Sequence, residues 1–181
     1  MTQTFRAAFD KLIGVEGGYS NNPSDSGGPT RWGVTESVAR KHGYRGDMRH
    51  YPKSEAERVY WLSYWQPLHL DAVSAIAGPE LAYELFEQGV NMGVARPARW
   101  LQVTLNSLNR QGRDYADIAE DGQIGPQTLG ALEAFARKRG GEGVAVLLTA
   151  MNCLQGAFYI ELARQRPKDE EFLFGWLAQR V

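Results

Sequence analysis

The sequence has little cysteine and histidine, and it has no excess of either charge. Its single cysteine, Cys153, excludes an intramolecular disulfide, and its three scattered histidines do not have the spacing of a metal site. The 20 basic residues nearly balance the 21 acidic ones, and a net charge of -1 removes the case for bulk electrostatic binding to nucleic acid. The glycine-rich stretches also lack both common nucleotide-binding patterns. We therefore expect no metal, no other cofactor and no nucleic-acid partner.

Long apolar runs are also missing. No run approaches the ~18 apolar residues that a membrane span needs, so no membrane span is expected. Arg6, Asp10 and Lys11 interrupt the first helical stretch, which excludes the apolar core of a secretory signal. What remains is a chain of 181 residues, 43% of them hydrophobic. This length suits one globular domain, or one with a small appended lobe, and a monomer is the expected state.

The apolar residues recur mostly at helical spacing. The pattern predicts an amphipathic helix over 4–16, a helix capped by Thr35, and a helix opened by a capping box at 54–57. Prolines at first-turn positions open three further helices, and glycines at 140–141 precede the longest one. No alternating pattern is long enough for a core sheet, although a small hairpin fits in the 19–52 region. The predicted fold class is mainly α.

A segment rich in Gly, Ser, Asn and Pro covers residues 19–33, and a loop of this length usually has a function. Glu16 stands just before it, in register with Phe5 and Phe9 on the preceding helix. Partial burial and the negative end of the helix dipole would both raise the pKa of its carboxyl. A general acid that protonates a glycosidic oxygen needs such a shift. A surface glutamate near a helix end is the competing interpretation.

Asp25 follows Glu16 within the polar loop. A hydrated aspartate there would stay ionised, so the two carboxyls would divide the acid and base roles as they do in glycosidases. The competing interpretation of Asp25 is an Asx-turn residue, which its neighbours Pro, Ser and Gly favour. The hydroxyls of Thr30 and Thr35 could position a water, and Thr35 fits a helix cap at least as well.

Aromatic residues and one amide complete the set of candidate substrate-binding residues. Tyr19 and Trp32 flank the loop, and sugar faces stack on such rings. One predicted helix also carries two adjacent aromatic stripes, and such stripes more often belong to a core than to a sugar site: Tyr60, Trp61, Tyr64 and Trp65. Asn91 stands between a helix and a glycine, where it could bind an N-acetyl group or cap the helix. The candidate substrate-binding residues are Tyr19, Thr30, Trp32 and Asn91.

Two consecutive strings carry a resemblance to a known family. Residues 15–25 read Val-Glu-Gly-Gly-Tyr-Ser-Asn-Asn-Pro-Ser-Asp, and residues 27–35 read Gly-Gly-Pro-Thr-Arg-Trp-Gly-Val-Thr. Together they closely resemble the signature of glycoside hydrolase family 108. The resemblance continues at 88–93 and 100–102, and the string at 121–129 resembles the family's C-terminal peptidoglycan-binding segment.

The resemblance implies an N-acetylmuramidase with a lysozyme-like helical fold. It implies that Glu16 is the catalytic acid and that the substrate is the β-1,4 linkage between N-acetylmuramic acid and N-acetylglucosamine in peptidoglycan. The spacing of Glu16 and Asp25 is also similar to the acid-and-aspartate pair of phage lysozymes, which suggests Asp25 as the second catalytic residue. The predicted catalytic residues are Glu16, Asp25 and Thr35.

The expected organisation is a catalytic lobe over 1–90 and a helical lobe over 91–181 that packs on it. The string at 121–129 also has a purely structural interpretation, because Asp-Gly makes a tight turn, Ile124 anchors it and Pro126 starts a helix. The second lobe is therefore either a wall-binding module or a scaffold.

Other functions stay open at this point. A lytic transglycosylase needs only one carboxyl and releases an anhydro product, and a non-catalytic wall-binding or export module needs none. Within the muramidase interpretation, the distance between the two carboxyls decides between inversion and retention.

For such an enzyme the glycan strands of peptidoglycan are the expected partner. We expect synthesis in the bacterial cytoplasm and action in the periplasm or cell wall. A holin or another export system would then deliver the enzyme, and phage host lysis is the expected role.

Overall fold

The computed structural model describes residues 1–14, 18–21 and 28–181. Their contacts divide the chain into two compact units, a first unit of Met1–Pro67 and a second unit of Leu68–Val181. Helix makes up 72% of the structure, with one small antiparallel sheet of two strands, so the predicted mainly α class and the small hairpin are confirmed. The functional division at residue 90 stays a prediction.

The first unit places a short hairpin between helices. In chain order its elements are α1 (Gln3–Ile13), β1 (Thr30–Arg31), β2 (Val34–Thr35), α2 (Glu36–Lys41) and α3 (Lys53–Tyr60). A 3-10 turn at Met48–His50 precedes α3, and α3 continues into a π-helical turn at Trp61–Trp65. This continuation carries the helix toward Pro67, where the sequence predicts its end.

Aromatic rings form the core of the first unit. Phe5 and Phe9 are fully buried on one face of α1, four residues apart as the helical period requires. Phe5 meets Trp61 and Trp65 edge to face, and Phe9 meets Tyr60 in the same way. Such pairs contribute roughly 0.5–1.5 kcal/mol each beyond the area they bury. The aromatic stripe on α3 and the following turn therefore packs into the core through Tyr60, Trp61 and Trp65.

Two predicted helix caps have different outcomes. The side chain of Thr35 accepts a hydrogen bond from the backbone N–H of Val38, so the predicted N-cap of α2 is confirmed. The predicted capping box at 54–57 is wrong, because α3 begins at Lys53 and its N-cap is Pro52, without a side-chain cap. Pro52 has extended backbone angles that start the helix early, which leaves Ser54 inside the first turn.

The second unit consists of helices. They are α4 (Leu70–Ala77), α5 (Pro79–Met92), α6 (Ala95–Leu108), α7 (Pro126–Gln165) and α8 (Glu170–Arg180), and a 3-10 turn at Pro167–Asp169 precedes α8. Pro79 and Pro126 each occupy the first helical position as predicted, because the missing N–H of proline costs nothing there.

A glycine divides α7. Gly140 has φ 61° and ψ -159°, which is not helical, so two helical segments meet at a kink. The sequence predicts that the glycine pair at 140–141 ends one helix and precedes the longest one. The structure confirms the break in helical geometry and shows that the second segment follows directly.

α7 is also long and apolar enough to cross a membrane. Its most apolar window of 18 residues has a mean hydropathy of 1.5, and a third of that window is buried. The sequence led us to expect no apolar run of this kind. In the second unit α7 packs against α4, α5, α6 and α8, so its apolar face is part of the core of that unit.

Candidate active site

The hairpin brings three predicted site residues together. Thr30 pairs with Thr35 across β1 and β2. Ser20 forms a bridge to Thr30 through two backbone hydrogen bonds of 2.8 Å, which places Tyr19 beside the same sheet. Residues that were candidates on separate parts of the loop are therefore neighbours on one small sheet.

The hairpin turn lies against the end of α1. Gly33 has φ 71°, and a Cβ at this position would overlap the hydroxyl of Tyr60 and lie 3.4 Å from Cδ1 of Ile13. Only glycine gives the turn both its backbone angle and its close approach. The predicted helix over 4–16 is too long, because α1 ends at Ile13 and Gly14, with φ 66°, is its C-cap. The hairpin turn therefore lies beside the last residue of α1.

Trp32 is held in place on several sides. Its Nε1–H donates a hydrogen bond of 3.1 Å to the carbonyl of Tyr51. The guanidinium of Arg31 and the ammonium of Lys53 lie 5.6 Å and 5.8 Å from its ring centroid, within the range of cation–π attraction. Lys53 also forms an ion pair with Asp10 on α1. The half-buried ring therefore has a fixed orientation in the first unit.

The two threonine hydroxyls have local backbone partners. Thr35 Oγ1 accepts the N–H of Val38 at 3.4 Å, and Thr30 Oγ1 donates to the carbonyl of Gly28 at 3.0 Å. A hydroxyl has one donor and two acceptor positions, so each still has capacity for a water. Thr35 can therefore cap α2 and hold a water at once.

Tyr19 is 41% exposed and lines a groove of about 330 Å³. We call this the Tyr19 groove, and its walls include Tyr19, Pro29, Glu36, Arg40, Arg45 and Asp47. Asp47 accepts hydrogen bonds from the side chain and the backbone N–H of Arg49, which lower the pKa of its carboxyl to about 2. Sequence reasoning missed this groove, because its arginines come from α2 and from the loop that follows it.

Asn91 belongs to the second unit, in a polar network that sequence reasoning missed. Its Nδ2 donates to the carbonyl of Glu87 at 2.9 Å and to the carboxylate of the same residue, and its Oδ1 accepts from Arg180 at 2.9 Å. Gln155 Nε2 donates to Glu87 Oε2 at 3.0 Å. Burial raises the pKa of the Glu87 carboxyl, and the hydrogen bond from Gln155 opposes that rise. The sequence does contain one indication of this network, because Glu87 lies one helical turn before Asn91 on α5.

The string at 121–129 is built into the second unit. Gln102 Nε2 donates to the carboxylate of Asp121 at 2.8 Å and to the carbonyl of Gln123 at 3.0 Å, and its Oε1 accepts the N–H of Gly122 at 2.8 Å. Ile124 is buried, with 2% of its surface exposed. These contacts support the structural interpretation of the turn, with Ile124 as its anchor.

The structure therefore brings together Tyr19, Thr30, Trp32 and Thr35 in the first unit, while Asn91 belongs to the second. The two predicted catalytic carboxyls, Glu16 and Asp25, lie outside the described residues. In the part of the chain that is described, no cluster of His, Cys, Asp and Glu has the composition of a metal site.

Comparisons with known proteins extend this description. Residues 9–93 match the profile of the family described as glycosyl hydrolase 108, and residues 96–181 match that of a "Predicted Peptidoglycan domain". A search of curated proteins found no match. Among solved structures, the chain is similar to that of SagA from Brucella abortus. The two structures superpose with a TM-score of 0.65 and share 23% sequence identity. The match covers 97% of this chain and 88% of the SagA chain, and it shows a similarity of fold.

The two profiles follow one another along the chain. The first covers all three predicted catalytic residues, and the second covers α6, α7 and α8. A glycoside hydrolase domain joined to a peptidoglycan domain is the composition of a peptidoglycan hydrolase, which acts on the cell wall. The chain therefore contains a glycosyl hydrolase 108 domain at residues 9–93, followed by a predicted peptidoglycan domain at residues 96–181.

Proposed function

We propose that the protein is an N-acetylmuramidase that cleaves the β-1,4 bond between N-acetylmuramic acid and N-acetylglucosamine. The observation that carries this proposal is the glycosyl hydrolase 108 match, because it spans both Glu16 and Asp25. The paired Thr30 and Thr35, and the hairpin turn against the end of α1, support a site at this end of the first unit.

In the proposed mechanism Glu16 is the general acid. It donates its proton to the bridging oxygen while the bond from that oxygen to the anomeric carbon breaks, which leaves an oxocarbenium-like sugar. A water then adds to the anomeric carbon, and Asp25 takes the proton from this water. Thr35 holds the same water through its hydroxyl. A carboxyl separation of roughly 6.5–9.5 Å gives inversion, whereas about 5 Å makes Asp25 a nucleophile and gives retention.

Four residues are proposed substrate contacts. Tyr19 offers an exposed ring face to a sugar, Trp32 lies in the hairpin turn, and Thr30 lies beside Thr35 in the sheet. Asn91 is exposed, but its amide is already bonded to Glu87 and Arg180. A contact from Asn91 to an N-acetyl group must therefore share or exchange these bonds.

The test of the acid is Glu16→Gln, with Glu57→Gln on α3 as the control carboxyl. We expect the release of reducing ends from purified peptidoglycan to fall by roughly 10²–10⁴-fold in Glu16→Gln and to stay near wild type in Glu57→Gln. Mass analysis of the wild-type products should show hydrated reducing ends. Anhydro ends would instead identify a lytic transglycosylase, and full activity of Glu16→Gln would contradict the assignment of the acid.

The second catalytic group is tested by Asp25→Asn and by two substitutions of Thr35. If Thr35 holds the water, Thr35→Ser should keep most of the activity and Thr35→Ala should lose it. Thr35→Ala should also cost about 1 kcal/mol of folding stability through the lost cap. A Thr35→Ala variant that is only less stable, with an unchanged rate at low temperature, would leave Thr35 as a cap. We expect the catalytic rate of Asp25→Asn to be lower than that of Thr35→Ala.

Delivery across the membrane and a role in phage host lysis complete the proposal. Production of the chain alone in bacteria should leave cells intact, whereas co-production with a holin should lyse them. Lysis without a holin would point to another export route.

A further inference from the structure

We propose that the Tyr19 groove binds the lactyl carboxylate of N-acetylmuramic acid, with Arg45 as the cation that recognises it. This inference rests on the proposed muramidase function and names the part of the substrate that the groove recognises.

The groove is next to the hairpin. Tyr19 directly precedes Ser20, which is bonded to Thr30, and the carbonyl of Pro29 accepts the N–H of Glu36 at 2.8 Å. The groove is therefore adjacent to the sheet that carries Thr30 and Thr35. A sugar bound beside these threonines can place a substituent in the groove.

Two carboxylates and two arginines line the groove, but Arg49, which is not part of its lining, pairs with one of the carboxylates. Glu36 is paired with Arg40 at 2.5 Å, and Asp47 with Arg49 at 2.6 Å. Arg45 has no carboxylate partner among the described residues. Its Nη1 donates to the carbonyls of Arg40 at 2.8 Å and of Tyr44 at 3.4 Å, which orients the guanidinium. Its Nε and Nη2 have no hydrogen-bond acceptor in the described part of the chain, so they are available to a ligand.

The chemistry of the groove suits one substituent of the wall glycan. An arginine donates two parallel hydrogen bonds to a carboxylate, which makes it the preferred side chain for this group. N-acetylmuramic acid carries a lactyl carboxyl, free or joined to the peptide stem, and N-acetylglucosamine does not. The exposed ring of Tyr19 offers a stacking face to the sugar that holds the carboxylate. Recognition of this group would set which sugar lies on each side of the cleaved bond.

The experiment compares two ligands that a muramidase does not cut. They are the disaccharide N-acetylglucosaminyl-N-acetylmuramic acid and the same disaccharide with its lactyl carboxyl converted to an amide. We expect the wild-type chain to bind the free acid about tenfold more tightly than the amide in a calorimetric titration. Arg45→Gln should reduce this preference to less than about twofold. Lys41→Gln, which removes a cation outside the groove, should keep it.

Two further variants separate recognition from folding. Arg45→Lys retains the charge but not the paired donors, so its preference should lie between those of wild type and Arg45→Gln. Tyr19→Ala should weaken both ligands equally. Equal binding of the two ligands by wild type, or an unchanged preference in a folded Arg45→Gln variant, would overturn the inference.

The two proposals can fail separately. Release of hydrated reducing ends from peptidoglycan without any preference for the free acid would remove the groove assignment and leave the muramidase. A preference for the free acid in a chain that cuts no glycosidic bond would remove the muramidase and leave a carboxylate-binding groove.

Discussion

Glu87 is a carboxyl on the buried side of α5, with 7% of its surface exposed. Gln155 and Asn91 donate hydrogen bonds to it, and Arg180 lies 3.3 Å from its Oε1. These contacts join α5 to α7 and α8, the helices of the second unit. A buried carboxylate with these partners is costly to desolvate and costly to leave unpaired.

The raised pKa of Glu87 predicts a specific dependence of stability on pH. Since the folded value lies above the ordinary 4.5, the native state binds more protons than the unfolded state between these two values. The free energy of unfolding should therefore decrease as the pH rises through this window and level off above the folded pKa. Thermal melts across this range should show the decrease in wild type and a smaller one in Glu87→Gln.

The control for this measurement is Glu80→Gln, an exposed carboxyl on the same helix. It should follow the wild-type profile. If Glu87→Gln and wild type have parallel profiles, the burial of Glu87 does not govern this part of the stability.

At the scale of elements, the hairpin depends on one glycine. The turn between β1 and β2 uses positive φ at Trp32 and Gly33, and the second of these residues approaches the hydroxyl of Tyr60. This contact fixes the hairpin against α3 and the end of α1. The sheet has only two residues per strand, so its position depends on packing more than on its ladder.

Gly33→Ala should destabilise the protein by about 1–3 kcal/mol, since it combines left-handed backbone strain with a steric overlap. Gly43→Ala is the matched control, because Gly43 also has positive φ but a Cβ there would have open space. Gly43→Ala should therefore show the backbone cost alone. Adding Tyr60→Phe to Gly33→Ala should recover part of the loss in urea titrations. If Tyr60→Phe changes the free energy of unfolding by the same amount with and without Gly33→Ala, then the introduced methyl group does not clash with this hydroxyl.

At the scale of the whole molecule, α7 can be interpreted in two ways. Its length and composition would allow it to cross a membrane, yet in the second unit it packs against four other helices. It also carries Gln155, which is fully buried and bonded to Glu87 and Gln88. Extraction of α7 into lipid would break these bonds without replacement.

We therefore expect the full chain to partition into the aqueous phase in detergent phase separation, and carbonate washing should remove it from membranes. Gln155→Leu makes α7 more apolar and removes the buried amide. If α7 is a core helix, this variant should be less stable but still aqueous. Recovery of the wild-type chain in the detergent phase would show that α7 inserts.

Much of the fold follows from short-range signals that act within one turn of helix. Thr35 caps α2, and Pro79 and Pro126 begin their helices, because these effects depend on neighbouring backbone groups alone. The pattern at 4–16 predicted the buried face of α1 for the same reason. The family resemblance of the strings at 15–35 was likewise visible in the residues themselves. The capping box failed because Pro52 offered an earlier start for α3.

Other features were decided only by tertiary structure. Asn91 and Arg180 are 89 positions apart, and Glu87 and Gln155 are 68 apart, so no local pattern could reveal their network. The pairs that leave Arg45 without a carboxylate partner are local, but only the folded chain brings Tyr19 and Pro29 into one groove with Arg45. The sequence by itself thus determined the mainly helical class, the starts of the helices at Thr35, Pro79 and Pro126, and the family resemblance. Packing decided which polar groups are satisfied and which remain for a ligand, since that depends on distances between residues far apart in the chain.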